Sequence, residues 1–410
     1  MKVAIIGAGA AGFFSAINLK KFNANIDVTI FEGASKVLSK VAVSGGGRCN
    51  LTNSFADVRN LSLVYPRGDK FMKRAFKIFD HKDTYEWFEA HGVKLVTQDD
   101  NCVFPCSQDS QEIIDTFLRL SKELSISVKT RHKVSNIVKE GDVFELEFDD
   151  EAVDNKMFNA VIVTVGGKPN LDGFDMFKSL NLDVVAPVPS LFSFNIANKQ
   201  LTELMGTVVE NAIAKMQGQK IKSTGALLIT HWGMSGPAIL KLSSYYAKSL
   251  NNSNYTAKIS INWVNDTNEQ NVNKNLDEIF LKNSQKMVTS IRPYNLPSRL
   301  WIYLLKKAEI SDERRCAELG KNGINRIINI LTNDEYDVVG KNRFKEEFVT
   351  CGGISLENIN FTTMESKEYE NLYFAGEVLD VDAITGGFNL QAAWTLSYIT
   401  ALSIATKAKE

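Results

Sequence analysis

The first residues whose spacing could support chemistry are three glycines near the N-terminus. Gly7, Gly9 and Gly12 form the pattern G-x-G-x-x-G, directly after the apolar run K-V-A-I-I. In this pattern the first glycine permits a tight turn from strand to helix, the second lets a pyrophosphate approach the backbone, and the third lets the helix pack close to the strand. Glu32 follows 20 residues after Gly12, where a carboxylate can accept hydrogen bonds from ribose hydroxyl groups. The spacing predicts a dinucleotide site, and the acidic Glu32 favours FAD or NAD over NADP.

A second glycine cluster lies in the segment S-G-G-G-R-C-N, residues 44–50. Glycine loses more backbone entropy on ordering than any other residue, so three in a row indicate either a flexible linker or a backbone that lies against a ligand. The segment follows Lys40 and lies between elements of the predicted nucleotide site, which favours the ligand. We expect backbone N–H groups of residues 44–50 to donate to the cofactor.

The C-terminal region carries a third set of glycines. Residues 372–375 form a predicted strand, Gly376 and Glu377 follow it, and the glycine pair at 386–387 opens a predicted helix. This order resembles the C-terminal strand, acidic loop and helix of flavoproteins with two dinucleotide-binding domains. The resemblance implies that the acidic residue approaches the ribityl and pyrophosphate groups, and that the helix N-terminus faces the flavin pyrimidine, where it stabilises the charge of a reduced flavin. FAD is therefore favoured over NAD, although an ordinary turn before a packed helix is the alternative.

The other predicted elements must hold these glycines in one domain. Short apolar runs at residues 2–6 and 27–31 are typical of buried strands, and the segment between them is typical of a helix. A predicted strand at 131–137 stands where the backbone of FAD proteins of this build meets adenine, here at Val134. Another predicted strand at 160–167 ends in glycines and returns the chain to the cofactor.

Eight motifs occur in the order found in one protein family. They are S-G-G-G-R-C-N-L-T-N (44–53), F-P-C-S (104–107), G-A-L-L-I-T-H-W-G-M-S-G-P-A-I-L (225–240), L-P-S-R-L (296–300), C-G-G-I-S-L-E-N-I (351–359), T-M-E-S-K (363–367), Y-F-A-G-E-V-L-D-V-D (373–382) and T-G-G-F-N-L-Q-A-A-W (385–394). Together they resemble a widespread bacterial family of NAD(P)/FAD-dependent oxidoreductases, which includes aminoacetone oxidase-like proteins and flavoproteins of bile-acid dehydroxylation. The chain departs from the family pattern in a shorter G-G-K-P-N-L-D-G-F loop and in Ser39, which precedes Lys40 where an Arg-Lys pair is common.

The resemblance implies an α/β fold. A Rossmann-like FAD-binding domain of the glutathione-reductase type is interrupted by an inserted β-barrel-like domain with a helical subdomain. Short alternating segments at 192–196, 206–216, 226–230 and 257–263 agree with the insertion. The expected boundaries are 1–188 for the first part of the FAD domain, 189–265 for the inserted β domain, 266–332 for the helical subdomain, 333–347 for a return strand, and 348–410 for the second part of the FAD domain.

The residues expected to bind the cofactor come from these motifs and elements. They are Gly7, Gly9, Ala10, Ala11, Gly12, Glu32, Lys40, Ser44, Gly45, Gly46, Gly47, Arg48, Cys49, Asn50, Val134, Gly166, Gly376, Glu377, Gly386, Gly387, Phe388, Asn389 and Leu390. No metal ligands are expected, because the C-x3-C pair Cys102 and Cys106 has no His or second cysteine pair at zinc-ligand spacing.

Composition limits the partners. The 410 residues include 47 Lys and Arg against 48 Asp and Glu, a net charge of −1, without a run of five or six cations. This argues against a dedicated nucleic-acid or membrane-surface binder, so the expected partner is a small-molecule substrate. Five scattered cysteines argue against a secreted disulfide framework and favour a cytoplasmic protein. No apolar stretch reaches about 18 residues, so no transmembrane helix is predicted.

The predicted activity is hydride transfer between the flavin and a small organic substrate. A second G-x-G-x-x-G is absent, so NADH or NADPH would dock only transiently, and the choice between oxidase and reductase stays open. A lone Cys49 argues against a disulfide reductase, which needs a close cysteine pair beside the flavin. The alternatives are a non-catalytic FAD-bound sensor or scaffold and, disfavoured by the near-neutral charge, an RNA-modifying flavoprotein.

The catalytic acid or base is not identified. His231 lies in a glycine-rich turn, where a packed structural histidine is the simpler interpretation. Asp380 and Asp382 precede the flavin-facing glycines and are candidate acid–base groups, but structural capping or solvation is the favoured interpretation. Arg48 has two interpretations, an anchor for an anionic substrate or a contact to the pyrophosphate or a carboxylate, and Cys351 is expected to pack near the isoalloxazine.

Overall fold

The computed structural model describes residues 1–168, 170–342 and 349–409. The strands are β1 (Lys2–Ile6), β2 (Asp27–Phe31), β3 (Thr52–Asn53), β4 (Leu95–Thr97), β5 (Cys102–Pro105), β6 (Ser127–Lys129), β7 (Val134–Glu140), β8 (Val143–Phe148), β9 (Lys156–Phe158), β10 (Ala160–Val163), β11 (Val184–Ser190), β12 (Phe194–Ile196), β13 (Val208–Met216), β14 (Lys222–Thr230), β15 (Gly233–Ser235), β16 (Ala257–Asn262), β17 (Asp334–Lys341), β18 (Val349–Ile354) and β19 (Leu372–Phe374). The α-helices are α1 (Ala10–Phe22), α2 (Ser39–Gly47), α3 (Asp69–Ala75), α4 (His81–Ala90), α5 (Ser110–Glu123), α6 (Lys199–Thr202), α7 (Pro237–Tyr245), α8 (Ala247–Asn252), α9 (Glu269–Lys282), α10 (Ser298–Lys307), α11 (Gly320–Thr332) and α12 (Phe388–Lys407). Short 3-10 helices occur at Leu61–Leu63, Leu171–Phe177, Val288–Ser290, Pro293–Asn295, Cys316–Glu318 and Leu356–Asn358.

The chain separates into two units. The first comprises Met1–Pro189 and Lys345–Glu410, and the second comprises Ser190–Phe344. The second part of the FAD domain is predicted to begin at residue 348, and this residue lies outside the described residues. The units differ in charge: residues 190–344 contain 20 Lys and Arg against 13 Asp and Glu, whereas the rest of the chain contains 27 against 35.

A parallel five-stranded sheet, in the order β19-β10-β1-β2-β6, is the centre of the first unit. The central strand β1 is apolar along its whole buried length, as expected for a parallel sheet covered on both faces. The strands predicted at 2–6 and 27–31 occupy those residues, and the one predicted at 160–167 ends early, at Val163. Smaller sheets, β3-β5-β4 and β7-β8-β9, and the pair β11-β18 complete the strands of this unit.

The start of the strand predicted at 131–137 needs correction, because the observed strand begins at Val134. The chain leaves the parallel sheet after β6, and Arg131 adopts a left-handed φ of 58°. The Arg131 N–H donates to Ala34 O and the His132 N–H donates to Glu32 O, so these residues are held against the loop after β2, and residues 130–131 form a turn. Only at Val134 does a strand begin, and it belongs to the separate antiparallel sheet β7-β8-β9.

Helices α1 and α12 pack together through small residues and an aromatic cluster. Ser397 Oγ donates to Ala11 O at 3.0 Å, within the close approach of the two helices. The Phe14 ring lies 5.2 Å from Trp394 and 4.5 Å from Trp87, measured between ring centroids. Trp87 Nε1 donates to Asn18 Oδ1 at 3.0 Å. This core fixes the start of α1 and the course of α12 relative to the sheet.

The second unit is a closed antiparallel barrel, in the order β12-β15-β14-β13-β16-β17, with helices α6 to α11. The predicted Rossmann-like α/β fold with a β-barrel-like insertion and a helical subdomain is confirmed. Helices α7 and α8 fall inside the segment that the sequence pattern left to strands and turns. In the part of the chain that the structure describes, no helix is long and apolar enough to cross a bilayer, and no group of three or more His, Cys, Asp or Glu residues could hold a metal ion.

Candidate functional site

The G-x-G-x-x-G motif joins β1 to α1, and its three glycines meet different surroundings. A Cβ atom at Gly12 would lie 2.0 Å from Gly7 O, and one at Gly7 would lie 2.6 Å from Thr164 O. A Cβ atom at Gly9 would meet no atom within 4 Å. Gly7 and Gly12 are therefore required by packing within the fold, whereas Gly9 faces open space at the N-terminus of α1, the side on which a phosphate would bind.

Glu32, at the end of β2, is held over this turn by backbone donors. Ala8 N donates to Glu32 Oε2 at 2.9 Å and Ala34 N donates to Glu32 Oε1 at 2.8 Å. Each carboxylate oxygen has a further lone pair, so Glu32 can still accept a ribose hydroxyl. Lys168 is half-buried nearby: burial lowers its pKa, while the charge of Glu32 acts in the opposite direction.

Four of residues 44–50, namely Gly45, Gly46, Gly47 and Cys49, have a left-handed backbone. Helical geometry in α2 ends at Ser44, and φ is 58° at Gly45, 69° at Gly46 and 83° at Gly47. A Cβ atom at Gly45 would lie 2.6 Å from Asn50 N, whereas one at Gly46 would meet nothing within 4 Å. The loop is thus folded back on itself at Gly45 and open at Gly46, which is the surface that a bound ligand would cover.

Arg48 and Cys49 brace this loop from within. Arg48 Nε donates to Gly45 O at 3.2 Å, Arg48 Nη1 donates to Gln108 Oε1 at 3.3 Å, and the guanidinium lies 4.3 Å from the centre of the Phe104 ring. Burial raises the pKa of the Cys49 thiol to about 12, although a hydrogen bond with Ser44 acts against this. Cys49 is therefore a protonated thiol at neutral pH, which excludes it as a thiolate nucleophile.

The end of this loop reaches the N-terminus of α12. In the amide orientation that satisfies both of its partners, Asn50 accepts from Gly387 N at 3.2 Å and donates to Thr52 O at 3.0 Å. Thr52 Oγ1 donates to Gln391 Oε1 at 2.5 Å, and Asn53 Nδ2 donates to Gly386 O at 3.1 Å. The glycine cluster and the last helix, which are far apart in sequence, form one structure.

Close packing makes the glycines before α12 necessary. A Cβ atom at Gly387 would lie 2.2 Å from Thr52 O, and one at Gly386 would lie 2.8 Å from the Phe388 ring. Asn389 bonds to Ala383 with both ends of its amide, accepting from its N–H at 2.8 Å and donating to its carbonyl at 2.9 Å. Side chains on either side thus fix the first turn of α12. The N-terminus of this helix carries the partial positive charge of the helix dipole.

Two further residues at this helix start have contacts of their own. Phe388 O accepts a hydrogen bond from the buried Tyr65 hydroxyl at 2.8 Å. Leu390 packs against the apolar core of the unit. Both therefore serve to anchor α12.

Lys40, Gly166 and Glu377 come together at a separate edge of the predicted site. Lys40 Nζ donates to Glu377 Oε2 at 3.1 Å, and Thr350 N donates to Glu377 Oε1 at 2.9 Å. The nearest atoms to a Cβ at Gly166 would be these same Glu377 and Lys40 side chains, at 3.9 and 4.0 Å. Gly376 lies against Ala11, because a Cβ there would be 3.0 Å from that of Ala11. The acidic tip after β19 therefore meets α2 and the loop after β10.

The proposed acid–base residues have structural partners. Asp382 forms a two-point ion pair with Arg67, with 0% of the Asp382 side chain and 12% of the Arg67 side chain exposed. Asp380 Oδ1 accepts from Gly352 N at 2.9 Å. His231 is exposed in the second unit and packs edge-on to Trp232. The two residues expected near the isoalloxazine and the adenine are both buried: Cys351 lies in β18 and Val134 lies at the start of β7.

Several residues of this region were missed from the sequence. They are Thr52, Asn53, Tyr65, Thr164, Lys168 and Gln391. Thr52, Asn53 and Gln391 lie inside the quoted motifs, so the motif boundaries themselves were the available signal. Tyr65 lies in no recognised pattern, and Lys168 lies in the shortened G-G-K-P-N-L-D-G-F loop. Thr164, whose Oγ1 donates to Gly7 O at 2.9 Å, is identifiable only once β1 and β10 are known to be neighbours.

The residues present fit FAD. In the first glycine motif, Gly7 and Gly12 are packed against the backbone, whereas Gly9 faces open space where a pyrophosphate would approach. The carboxylate of Glu32 lies at the end of β2. A left-handed glycine loop and the N-terminus of a 20-residue helix meet in the same unit. Backbone N–H donors and a helix N-terminus are the groups that bind phosphates and anionic ring edges.

Comparison with known proteins identifies the family of the chain. A family model described as the HI0933-like protein Rossmann domain matches residues 1–403. The ribosomal RNA dihydrouridine synthase of Haemophilus influenzae is 27% identical over 409 residues, which cover 98% of this chain and 97% of the relative. The 3-dehydro-bile acid delta(4,6)-reductase of Clostridium scindens is 24% identical over 420 residues and 99% of each chain.

Among solved structures, 3-ketosteroid delta1-dehydrogenase from Sterolibacterium denitrificans aligns over 99% of both chains with a TM-score of 0.51 and 11% identity. At that identity the alignment shows a shared fold. The family match covers nearly the whole chain and includes every motif quoted above. The chain therefore belongs to the HI0933-like family, and the family and the fold support FAD as the cofactor and oxidoreductase as the class of protein.

Proposed function

We propose that the protein is an FAD-dependent reductase that delivers a hydride to a carbon–carbon double bond conjugated to a carbonyl group, with the second hydrogen added as a proton from solvent. The observation that carries the proposal is the junction between residues 44–53 and the N-terminus of α12. A helix N-terminus favours negative charge, and a flavin that has accepted a hydride carries negative charge at its pyrimidine edge. A junction built around that helix end supports a flavin that is reduced during the reaction.

Each part of the first unit has a separate task in this proposal. When bound, FAD supplies hydride chemistry at flavin N5. Gly9 and the N-terminus of α1 would hold the pyrophosphate, and Glu32 would accept hydrogen bonds from the ribose hydroxyls. Backbone N–H groups at Gly46 and Gly47 would donate to the cofactor, and the first turn of α12 would stabilise the pyrimidine edge.

The substrate class follows from what the two relatives have in common. Dihydrouridine differs from uridine by reduction of a ring double bond next to a carbonyl, and the other relative is named for reduction at positions 4 and 6 of a 3-oxo bile acid. Both names describe the same type of bond in unrelated molecules. We take uridine in RNA as the substrate, because the relative that acts on RNA is the more similar, and an oxo-steroid as the second candidate.

This choice differs from the expectation of a small-molecule substrate without nucleic acid. That expectation used the net charge of −1 for the whole chain. The two units carry opposite net charges, so the whole-chain value does not describe the surface of either one.

Anaerobic flavin spectroscopy tests the proposal. We expect NADH or NADPH to bleach the flavin, and a conjugated enone or a uridine-containing RNA, but not an isolated ketone, to restore its colour without oxygen. A reduced flavin that oxygen reoxidises, but that neither the enone nor the RNA reoxidises, would identify an oxidase. A flavin that neither nicotinamide reduces would favour the sensor or scaffold alternative.

The glycine loop can be tested with a matched pair of variants. Gly46→Val and Gly141→Val both place a branched side chain at a left-handed backbone, with φ of 69° and 56° and no atom within 4 Å of the new Cβ. Both should lose about 1–2 kcal/mol of stability from backbone strain. Only Gly46→Val should also lose FAD, measured as the flavin-to-protein absorbance ratio; equal occupancy in the two variants would contradict the cofactor role of the loop.

A further inference from the structure

The inserted unit has a basic surface that the proposed cofactor site does not use. Residues 190–265, which include most of the barrel, contain seven Lys and two Asp or Glu. The two acids are Glu203 and Glu210, and neither lies near the end of the hairpin formed by β13 and β14. The excess of positive charge is therefore local to this part of the barrel.

Two of these lysines face each other directly. Lys215 of β13 is the cross-strand partner of Lys222 of β14 in the antiparallel register, and both are exposed. Directly opposed side chains in such a pair have Cβ atoms about 4.5–5.5 Å apart, and like charges there are destabilising. A pairing that lowers stability on an exposed strand calls for a compensating role.

In the strands that the structure describes next to Lys215, no carboxylate lies directly beside this lysine. Lys215 is followed across the sheet by Ser260 of β16 and then by Glu335 of β17, so the acid is two strands, or about 10 Å, away. Asp337, the next acid on β17, pairs with Lys258 at 3.6 Å. Among the described residues, neither Lys215 nor Lys222 takes part in an ion pair.

A third lysine extends this surface at the hairpin turn. Lys220 is exposed, and Ile221, between it and Lys222, is held by the Tyr246 hydroxyl, which accepts from Ile221 N at 2.8 Å and donates to Ile221 O at 3.0 Å. The turn is therefore fixed although its side chains are exposed. We call Lys215, Lys220 and Lys222 the lysine face.

We propose that the lysine face binds the phosphate backbone of RNA, an inference that rests on RNA as the substrate of the proposed function. Ammonium groups bind phosphates as point charges, and a row of them without carboxylate partners is available to do so. The lysine face has no aromatic ring or arginine for stacking on bases or reading their edges. It therefore holds RNA without selecting its sequence.

An anionic membrane is the competing partner for a basic surface, and the surface lacks what a membrane requires. Ile221 is the one large apolar side chain within the turn, and it is only 39% exposed. A peripheral membrane site combines basic residues with a continuous apolar surface that enters the lipid. The lysine face offers charge alone, which suits a phosphate chain in water.

Fluorescence anisotropy with the full-length, FAD-loaded protein and a labelled single-stranded RNA of mixed sequence tests the proposal. We compare Lys215→Gln/Lys220→Gln/Lys222→Gln with Lys274→Gln/Lys282→Gln/Lys306→Gln, which removes the same charge from exposed positions of the same unit. For the first variant we expect weaker binding and a salt dependence reduced by about 2 in the log–log slope, because each phosphate contact contributes about 0.7. The control variant should keep most of the affinity and slope.

A charge reversal provides a second readout that a purely structural role would not produce. Lys215→Glu converts the like-charged pair into an opposite-charged one, so it should raise the melting temperature while weakening RNA binding. Equal loss of RNA binding in both triple variants, unchanged binding in the lysine-face variant, or binding to phosphatidylserine vesicles without binding to RNA would overturn the proposal.

The failure of the substrate assignment is distinguishable from the failure of the lysine face. RNA that binds through the three lysines but never reoxidises the reduced flavin would refute RNA uridine as the substrate and support the binding surface. RNA that is reduced with equal efficiency by the wild type and the lysine-face triple variant would refute the surface alone. Flavin content and melting temperature of each variant confirm that it is folded.

Discussion

The proposed cofactor site of the first unit and the lysine face of the second unit use polar groups in opposite ways. In the first, polar side chains turn inwards and bond to the backbone around the glycines, as Glu32 does with Ala8 and Ala34 and Asn389 does with Ala383. In the second, the lysines of the β13–β14 hairpin project outwards without carboxylate partners. A cofactor that never leaves can be held by a rigid backbone, whereas a large substrate that must come and go is better held by exposed, flexible charges.

The comparison predicts that the first unit is sensitive to the loss of a single internal partner. Asp382→Asn removes the carboxylate that forms a two-point ion pair with the largely buried Arg67. Burial lowers the pKa of Arg67, but the hydrogen bond and charge of Asp382, together with the charges of Cys351 and Asp380, outweigh burial and raise the net pKa. We expect a loss of about 3–5 kcal/mol, measured by denaturant unfolding.

The control for this prediction is an exposed ion pair in the same unit. The Lys133–Asp149 pair has side chains that are 70% and 45% exposed, so Asp149→Asn should cost less than about 1 kcal/mol. Similar losses for the two variants would remove the contrast between inward and outward polar groups.

A second prediction separates packing glycines from ligand glycines within one motif. Gly12→Ala places a Cβ 2.0 Å from Gly7 O, so it should lower stability by about 1–3 kcal/mol even without cofactor. Gly9→Ala meets open space at an extended backbone, with φ of −94° and ψ of −165°, and should leave the melting temperature of the FAD-free protein unchanged. Both should bind FAD more weakly in a flavin-fluorescence titration; unchanged affinity in Gly9→Ala would place the pyrophosphate elsewhere.

A third, smaller effect concerns the buried carboxylate of the second unit. Burial raises the pKa of Asp334, although Lys307 and the hydrogen bonds from Tyr336 and Trp263 act in the opposite direction. A raised folded-state pKa means that the folded protein binds the proton more tightly than the unfolded chain. Stability from this group therefore rises as pH falls through the raised pKa towards the ordinary value of Asp.

Melting temperatures between pH 7 and pH 4 test this sign. The wild type should gain stability relative to Asp334→Asn as pH falls. The exposed Asp337 of the same strand gives the control, because Asp337→Asn should follow the wild type. A loss of wild-type stability relative to Asp334→Asn over this range would show that the ion pair with Lys307 dominates burial.

The sequence predicted the parts of the fold that depend on local patterns. The apolar runs of β1 and β2 and the spacing of Gly7, Gly9 and Gly12 require no knowledge of distant residues, and they were placed correctly. The strand predicted at 131–137 begins three residues later, at Val134. The left-handed Arg131 and the backbone hydrogen bonds of Arg131 and His132 to the Glu32 region hold the preceding residues, and neither feature is visible in composition.

The lysine face could not be predicted from the sequence for a different reason. Lys215 and Lys222 are unremarkable as single residues, and only the hairpin register puts them opposite each other. The near-zero net charge of the whole chain averaged an acidic unit with a basic one. The bonds from Thr52 and Asn53 to the start of α12 depend likewise on neighbours more than 300 positions away.

The junction between residues 50–53 and α12 has a consequence for the order of events during synthesis. Thr52 and Gln391 are 339 positions apart, and Trp394 Nε1 donates to Leu51 O across 343 positions. The barrel, by contrast, lies within one continuous stretch, and domains generally fold as units during translation, the N-terminal ones first. We expect the barrel to form on the ribosome before α12 (Phe388–Lys407) has been made, so that the nucleotide unit captures flavin only after that helix has emerged.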